Sequence, residues 1–268
     1  MWNRVVLVGV FAFCFQLDYY PRFLNAFTLV EKWTFEFALF FYCAGVAQIT
    51  KTSVRGKFWL HGVVIQALTA FGGGILVPVL LNSLAPFPLT NDFALPSILL
   101  TWWLTHCCPG DVWNKLVEVP LVHDFVFVVF EICRCKLTLH WLTVAQAVIT
   151  KPTAFAAPVA GPIICGTLGG SAGVFMPFDK GLAAISSSVP WVMESAFLAS
   201  TFFFFSTSGI LTNWAGSAAL QLDKQSAHVA VGMGLVVFRV FPELLATLQP
   251  LRMALYKLSG VTPPVKAK

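Results

Sequence analysis

The sequence predicts an all-α membrane protein, with seven transmembrane helices arranged as an inverted 3+3 repeat plus one C-terminal helix. Three observations carry that expectation. Of 268 residues, 57% are apolar and only 11% are charged, and the mean hydropathy is +0.79, far from the composition of an ordinary soluble domain. The length accommodates roughly seven spans of about 20 residues with short connections, leaving no room for a separate soluble domain. Two glycine clusters, Gly72-Gly73-Gly74 and Gly169-Gly170 with Gly173, lie inside apolar segments about one three-span unit apart.

Residues 1–32 are expected to form an N-terminal interfacial segment. The apolar run from Val5 to Gln16 follows Arg4 but is too short to span, and it resembles a signal-peptide core without a small-x-small cleavage site. An eighth span is the alternative. The transmembrane domain covers residues 33–250, with spans at Trp33 to Thr50, Phe58 to Leu81 and Phe93 to Cys108. The fourth runs from Pro120 towards Ile149 and the fifth from Thr153 to Phe175; a shorter fourth span, Val119 to Ile132, with a broken region from Thr138 to Cys165 is the competing division. The sixth covers Met193 to Leu211 and the seventh His228 to Leu248, and residues 251–268 form a short basic tail. Trp33, Trp59, Trp113, Trp191 and Trp214 fall near span ends, where indole rings favour the membrane interface.

Seven spans divide the cations between two sides. One receives Lys51, Arg55, Lys57, Lys115, Lys180, Arg252, Lys257, Lys266 and Lys268, and the other Arg4, Arg22, Lys32, Lys151 and Lys224. The richer side, with the first loop and the C-terminus, is expected to be cytosolic. The glycine clusters fall in the second and fifth spans, the middle member of each triplet. An odd number of spans per triplet inverts the second half relative to the first, and interruptions at matching positions of two halves mark a transport site at the repeat interface. Glycine runs are expected to loosen or break the helical ladder there and free carbonyls for an ion path.

Arg134, Lys136 and Arg239 lie inside or at the edge of spans and are the candidate lipid-headgroup or gating residues. Arg239 in the last span would cost about 2.5–3.5 kcal/mol on insertion scales without a partner, so it is expected to face the protein interior. Either an ion pair with Glu243 or a pore or ligand role would serve. Arg134 and Lys136, next to Glu131 and one turn before His140, form either a snorkelling interfacial end or an anion or lipid-headgroup site. Glu36 and Glu194 stand near span starts, where a helix N-terminus favours a carboxylate. His61, His106 and His123 are isolated on apolar segments and read as packing residues.

Cys14, Cys43, Cys107, Cys108, Cys133, Cys135 and Cys165 read as small buried hydrophobes, with no spacing that completes a zinc site. The sequence has no HExxH, no Gly-x-Ser-x-Gly elbow and no P-loop, which points away from an enzyme. The net charge of +5 comes without a dense basic patch interleaved with aromatics, which points away from nucleic acid. No metal and no covalent cofactor are expected.

Lys57-Phe58-Trp59 leading into Phe71-Gly72-Gly73-Gly74-Ile75-Leu76 resembles the second helix of the trimeric intracellular cation channels. Cys108-Pro109-Gly110-Asp111-Val112 is similar to that family's Cys-Pro-x-Asp-Leu, and Gly166-Thr167-Leu168-Gly169-Gly170-Ser171 to its fifth-helix kink. Phe178-Asp179-Lys180 is similar to its Phe-Glu-Arg, Asp223-Lys224-Gln225 stands at its Ser-Lys-His turn, and Arg239 stands at its seventh-helix basic position. The resemblance covers Trp33 to Leu248. It departs in two places: Arg134 and Lys136 stand for the family's phosphoinositide-binding Lys-Glu-x-x-x-Arg with altered spacing, and uncharged Ile163-Ile164-Cys165 replaces Gly-Trp-Ala-Arg. The resemblance implies a homotrimer with one pore per subunit, carrying potassium across an intracellular membrane such as the endoplasmic reticulum during calcium release. It also implies a phosphoinositide as the candidate lipid ligand. A secondary transporter on the same scaffold, or a non-conducting structural subunit bound to unlike partners in a larger organellar complex, are the alternatives.

Overall fold

The computed structural model describes residues 25, 28–82, 85–150, 158–176, 183, 185, 189–210 and 221–244. Among these residues the fold is helical, with no strand. The α-helices are α1 (Lys32–Val54), α2 (Trp59–Leu81), the single turn α3 (Phe87–Thr90), α4 (Ala94–His106), α5 (Val112–Glu118), α6 (Pro120–Val148), α7 (Ala160–Ser171), α8 (Trp191–Thr207) and α9 (Lys224–Val240). Short 3-10 turns at Pro109–Asp111 and Ala172–Val174 precede α5 and follow α7. Most of residues 1–32, the Phe178-Asp179-Lys180 motif, Cys14, Lys151, Trp214 and the tail at 251–268 lie outside the described residues.

Local chemistry sets the helix ends. Pro120 opens α6, where its missing N–H removes no intrahelical bond. Asp223 caps α9 by accepting the Ser226 N–H at 2.9 Å, and hydrogen bonds from Ser226 hold its carboxyl below the usual carboxylate range. Asn82 ends α2 in a left-handed conformation, its N–H bonded to the Val79 carbonyl. At the Cys108-Pro109-Gly110-Asp111 turn, Gly110 (φ 67°) and Asp111 (φ 57°) both adopt left-handed backbone. Asn114 locks that turn: its Nδ2 donates to Asp111 Oδ1 and to the Thr105 carbonyl, while its Oδ1 accepts from Gln48 Nε2 on α1.

The expected last span is shorter than the sequence pattern allows: α9 stops at Val240, because Pro242 disfavours helical backbone at Phe241 (φ −120°, ψ 72°). The long fourth helix is observed, and the division that broke it at Ile132 is not. By length and composition, α1 and α2 can each cross a membrane, and Ala160–Val174 is a shorter apolar helix. With 13 residues, α4 reaches about 20 Å, less than a hydrocarbon core of about 30 Å.

Helix α6 is the centre of the bundle, packed against α1, α7, α8 and α9. Its Phe127, Phe130 and Cys133 join Leu39 and Tyr42 of α1, Phe71 of α2, Ile98 of α4 and Val236 of α9 in one apolar cluster. One turn or more further along, Leu139 and Leu142 meet Ile163 of α7, Phe203 and Phe204 of α8 and Leu235 of α9. Tyr42 ties three helices together, stacking on Phe130 at 5.0 Å and donating its hydroxyl to the Ala70 carbonyl at 2.8 Å. Trp33 and Trp59 are exposed, as interfacial residues would be. Of the described cysteines, Cys43, Cys133, Cys135 and Cys165 are buried, but Cys107 is exposed at the end of α4, against expectation.

The glycine run does not break α2, which is helical through Gly72, Gly73 and Gly74. Its glycines serve close approach instead. A Cβ on Gly73 would fall 2.6 Å from the Leu168 carbonyl oxygen and overlap that of Gly169. Gly73→Ala should therefore lower the stability of the folded chain by about 1–3 kcal/mol through overpacking. Gly234→Ala, with open space at its Cβ, should not. Thermal unfolding of the two detergent-solubilised variants separates the cases.

Candidate functional site

The two glycine clusters meet. Gly73 of α2 lies against the carbonyls of Leu168 and Gly169, and Gly173, just beyond α7, lies against the backbone of Thr69. The contact is reciprocal, with Thr69 and Gly73 four residues apart on one helix and Gly169 and Gly173 four apart on the other. That is the small-x-x-x-small spacing that lets helices approach backbone to backbone in a membrane. It is visible in the sequence and was the missed signal, since the glycines read there as ladder breakers rather than contacts.

The expected break does occur on the other partner. Ser171 leaves helical geometry (φ −140°, ψ −7°) and the chain tightens into the 3-10 turn Ala172–Val174. The last carbonyls of a helix have no intrahelical donors, and Gly169 and Gly170 carry two of them. On α2 a freed carbonyl comes from Pro78 rather than from the glycines, because Pro78 has no N–H to offer Gly74.

Beside the crossing is a cavity of about 330 Å³. It is lined by Gly73, Thr69, Gly169, Gly170, Ser171, Gly173 and Arg134, with Tyr42 and Thr50 from α1 and Val192 from α8. The remaining glycines sit elsewhere: Gly72 packs on the 3-10 turn and Met176, and Gly74 on Phe87. Among the described residues Thr69 Oγ1 is buried without a hydrogen-bond partner, while Ser171 donates to the Thr167 carbonyl at 2.6 Å, leaving its oxygen free to accept. The wall thus presents oxygen atoms to a largely apolar space.

Arg134 enters this wall with each of its three guanidinium nitrogens hydrogen-bonded. It is 1% exposed and Glu131 is 2% exposed, and the two are 2.6 Å apart at closest approach. Nε donates to Glu131 at 2.8 Å, Nη1 to the Val192 carbonyl at 3.0 Å and Nη2 to Ser195 Oγ at 3.0 Å. The pair is neutral as a unit and clamps α6 to the first turns of α8.

The cationic group expected from Arg134, Lys136 and His140 is therefore split. Two residues along a helix turn about 200°, so Lys136 leaves on the far side of α6. There it lines a separate cavity of about 410 Å³ with His140, Lys224 and His228. Arg239 is a second correction: it is exposed rather than enclosed in the interior, with its guanidinium carbon 4.1 Å from the Phe127 ring centroid on α6. Among the described residues it forms no ion pair with Glu243; the aromatic face takes that role. Glu36 pairs with Lys32 at 3.7 Å, and Glu194 lies in the first turn of α8. His123 contacts Asp124 at 3.4 Å.

The family model of the TRIC channel matches residues 57–241. Among solved structures, one of TRIC counter-ion channels, described for their activity in calcium release, is similar at 16% identity, covering 89% of this chain and 99% of that one with a TM-score of 0.58. A trimeric intracellular cation channel from C. elegans with bound Ca2+ is similar at 16% identity, covering 91% and 100% with a TM-score of 0.59. Its counterpart without Ca2+ gives 15%, 90%, 97% and 0.56. At these identities the likeness is one of fold. No match is found among the curated proteins.

The buried pair yields a stability test. Glu131→Ala strands a guanidinium in the core and should cost about 3–5 kcal/mol. The double variant Glu131→Leu/Arg134→Met should recover much of that loss. A thermal unfolding cycle over the single and double variants checks it; equal stability of wild type and Glu131→Ala would show that the pair is not desolvated.

Proposed function

The chain belongs to the TRIC channel family, and from that premise we propose that it is a cation channel of an intracellular membrane, selective for potassium, working as a homotrimer with one path per subunit. We further propose seven spans in an inverted 3+3 arrangement, in which α2 and α7 are equivalent middle helices and α9 is the additional one. The fold relatives bear on the trimer: two of them are trimeric intracellular cation channels.

The observation that carries the reading is the cavity beside the α2–α7 crossing. It collects Gly73, Gly169, Gly170 and Gly173 from distant parts of the chain beside Thr69 and the carbonyls at the end of α7. A path for a monovalent cation needs oxygen ligands that replace part of its hydration without holding it tightly. Thr69 Oγ1 and the carbonyls at the end of α7 are of that kind. The neutral Glu131–Arg134 pair presents no net charge to repel a cation there.

In this reading Arg134 serves the helix packing rather than a lipid, with each guanidinium nitrogen bonded to Glu131, Val192 or Ser195. The non-conducting alternative draws on one observation: Ile164, where the family resemblance places a charged stretch, is exposed and apolar. A copurifying set of unlike subunits, in place of a homotrimer, would favour it.

The decisive measurement is current from the purified chain in planar bilayers under a potassium gradient. Cation-selective steps are expected in the wild type. Thr69→Val keeps the side-chain shape while removing the oxygen, and should reduce unitary conductance severalfold with insertion unchanged. Silence from folded, inserted wild type would overturn the channel reading, and an unaltered conductance in Thr69→Val would remove this cavity from the path.

A further inference from the structure

Cys107 and Cys108 stand apart from the other described cysteines. Cys43, Cys133, Cys135 and Cys165 are buried in the bundle, whereas the adjacent pair at the end of α4 is not: Cys107 is exposed and Cys108 half-buried. Packing as a small hydrophobe accounts for the first four and leaves Cys107 unexplained. Its N–H donates to the Trp103 carbonyl at 2.8 Å, which fixes the residue one turn beyond that tryptophan.

Two sets of neighbours place Cys107 at the boundary between water and hydrocarbon. On one side it lines a cavity of about 600 Å³ together with Lys51, Arg55 and Lys57, and three cations on one recess need water or headgroups around them. On the other side Trp103, Leu99 and Leu95 precede it at steps of four residues, and all three are exposed. Positions four apart share a helix face, so Cys107 ends an apolar stripe. Leu95 to Cys107 is twelve residues, about 18 Å at a helical rise of 1.5 Å, against about 15 Å for one leaflet's half of the hydrocarbon core. Helical side chains lean towards the N-terminus, so a chain attached to the Cys107 sulfur sets out along Trp103 and Leu99.

The recess also offers a donor to whatever the sulfur carries. Thr105 lines the same cavity and is 4% exposed, and among the described residues its Oγ1 has no hydrogen-bond partner. A buried hydroxyl in that state is costly. A carbonyl oxygen brought into the recess would accept from it.

Exposed cysteines where a span meets the cytosolic surface are suited to reversible S-acylation. The cation count along the chain puts the first loop on the cytosolic side, and the shared cavity puts Cys107 beside that loop. We propose that Cys107 is an S-acylation site, taking a long-chain fatty acyl group in thioester linkage, with the chain laid along the exposed stripe of α4. The acyl donor is a fatty acyl-coenzyme A. The Cys107 sulfur attacks the acyl carbonyl carbon, the new sulfur–carbon bond forms as the bond to the coenzyme A sulfur breaks, and the thiol proton ends on the departing coenzyme A. One thioester replaces another, so neither oxidant nor reductant is consumed. The site rests on the membrane placement of the chain and stands whether or not the chain conducts.

The test uses the full chain, expressed in eukaryotic cells fed an alkynyl long-chain fatty acid and then purified in detergent. Wild type should carry the alkynyl label, and neutral hydroxylamine, which cleaves thioesters, should remove it. Cys107→Ser should abolish the label, while Cys108→Ser and Cys165→Ser should leave it in place. Should Cys107→Ser lose the wild-type thermal transition, the site is read on wild type instead: free thiols are capped, thioesters are cleaved with hydroxylamine, and mass spectrometry should find the newly freed thiol on Cys107. Label that persists in Cys107→Ser, a freed thiol on another cysteine only, or inserted wild type without label would each overturn the site. Label that resists hydroxylamine would overturn the thioester. No step of the assay depends on current, so its failure is distinct from failure of the channel reading.

Discussion

Two polypeptide backbones touch in the middle of this molecule, and that contact limits what every other helix can do. At Gly73 and Gly173 the neighbouring atoms are carbonyl oxygens and main-chain carbons rather than flexible side chains. Backbone cannot swing aside as a side-chain end can, so any Cβ there must push whole helices apart. Between apolar helices in lipid there is no hydrophobic drive to associate, and close van der Waals packing at small residues supplies the attraction. The crossing fixes α7 against α2, and α7 in turn packs on α6 and α8.

The central helix then faces an electrostatic difficulty that the structure resolves locally. Helix α6 is buried along much of its length yet carries Glu131 and Arg134. A lone charge there would be strongly disfavoured. Three residues apart on the same face, the two groups neutralise one another, and the remaining guanidinium donors find the Val192 carbonyl and Ser195. Solving the solvation problem thus also creates the link between α6 and α8. Lys136, two residues further on, has a different solution in another cavity, and Arg239 stacks its guanidinium over Phe127.

Much of this was legible in the residues and some was not. The helical, apolar character and the long fourth helix from Pro120 followed from composition, hydropathy and the N-terminal proline. The importance of both glycine clusters was also readable, because clustered glycines deep in apolar runs are costly without a purpose. Their purpose was misread for α2: loss of side chains at Gly72, Gly73 and Gly74 signals contact as much as flexibility, and only three-dimensional placement shows a backbone from the other half of the chain filling the gap. Arg134 and Lys136 were grouped by proximity in sequence, whereas helical periodicity separates them. Arg239 was expected to face the interior and is exposed instead; its partner is an aromatic ring more than a hundred residues away, and no local pattern encodes it.

The same close packing bears on how the proposed path could change state. The α2–α7 crossing has no slack, so widening the adjacent cavity there would require separating backbones that are already in contact. The opposite wall is held differently, by hydrogen bonds from Arg134 to Val192 and Ser195 at 3.0 Å each. Such bonds, about 1.5–3 kcal/mol each for a charged donor, can be replaced by bonds to water where water enters the cavity, whereas the packed glycine contact has no comparable substitute. In the proposed channel, a change of width at the cavity would therefore fall to the start of α8 against α6, with the glycine crossing as the fixed side. A rigid wall of backbone oxygens facing a wall that can shift is a workable arrangement for a gated cation path, because the ligand geometry survives while the width changes.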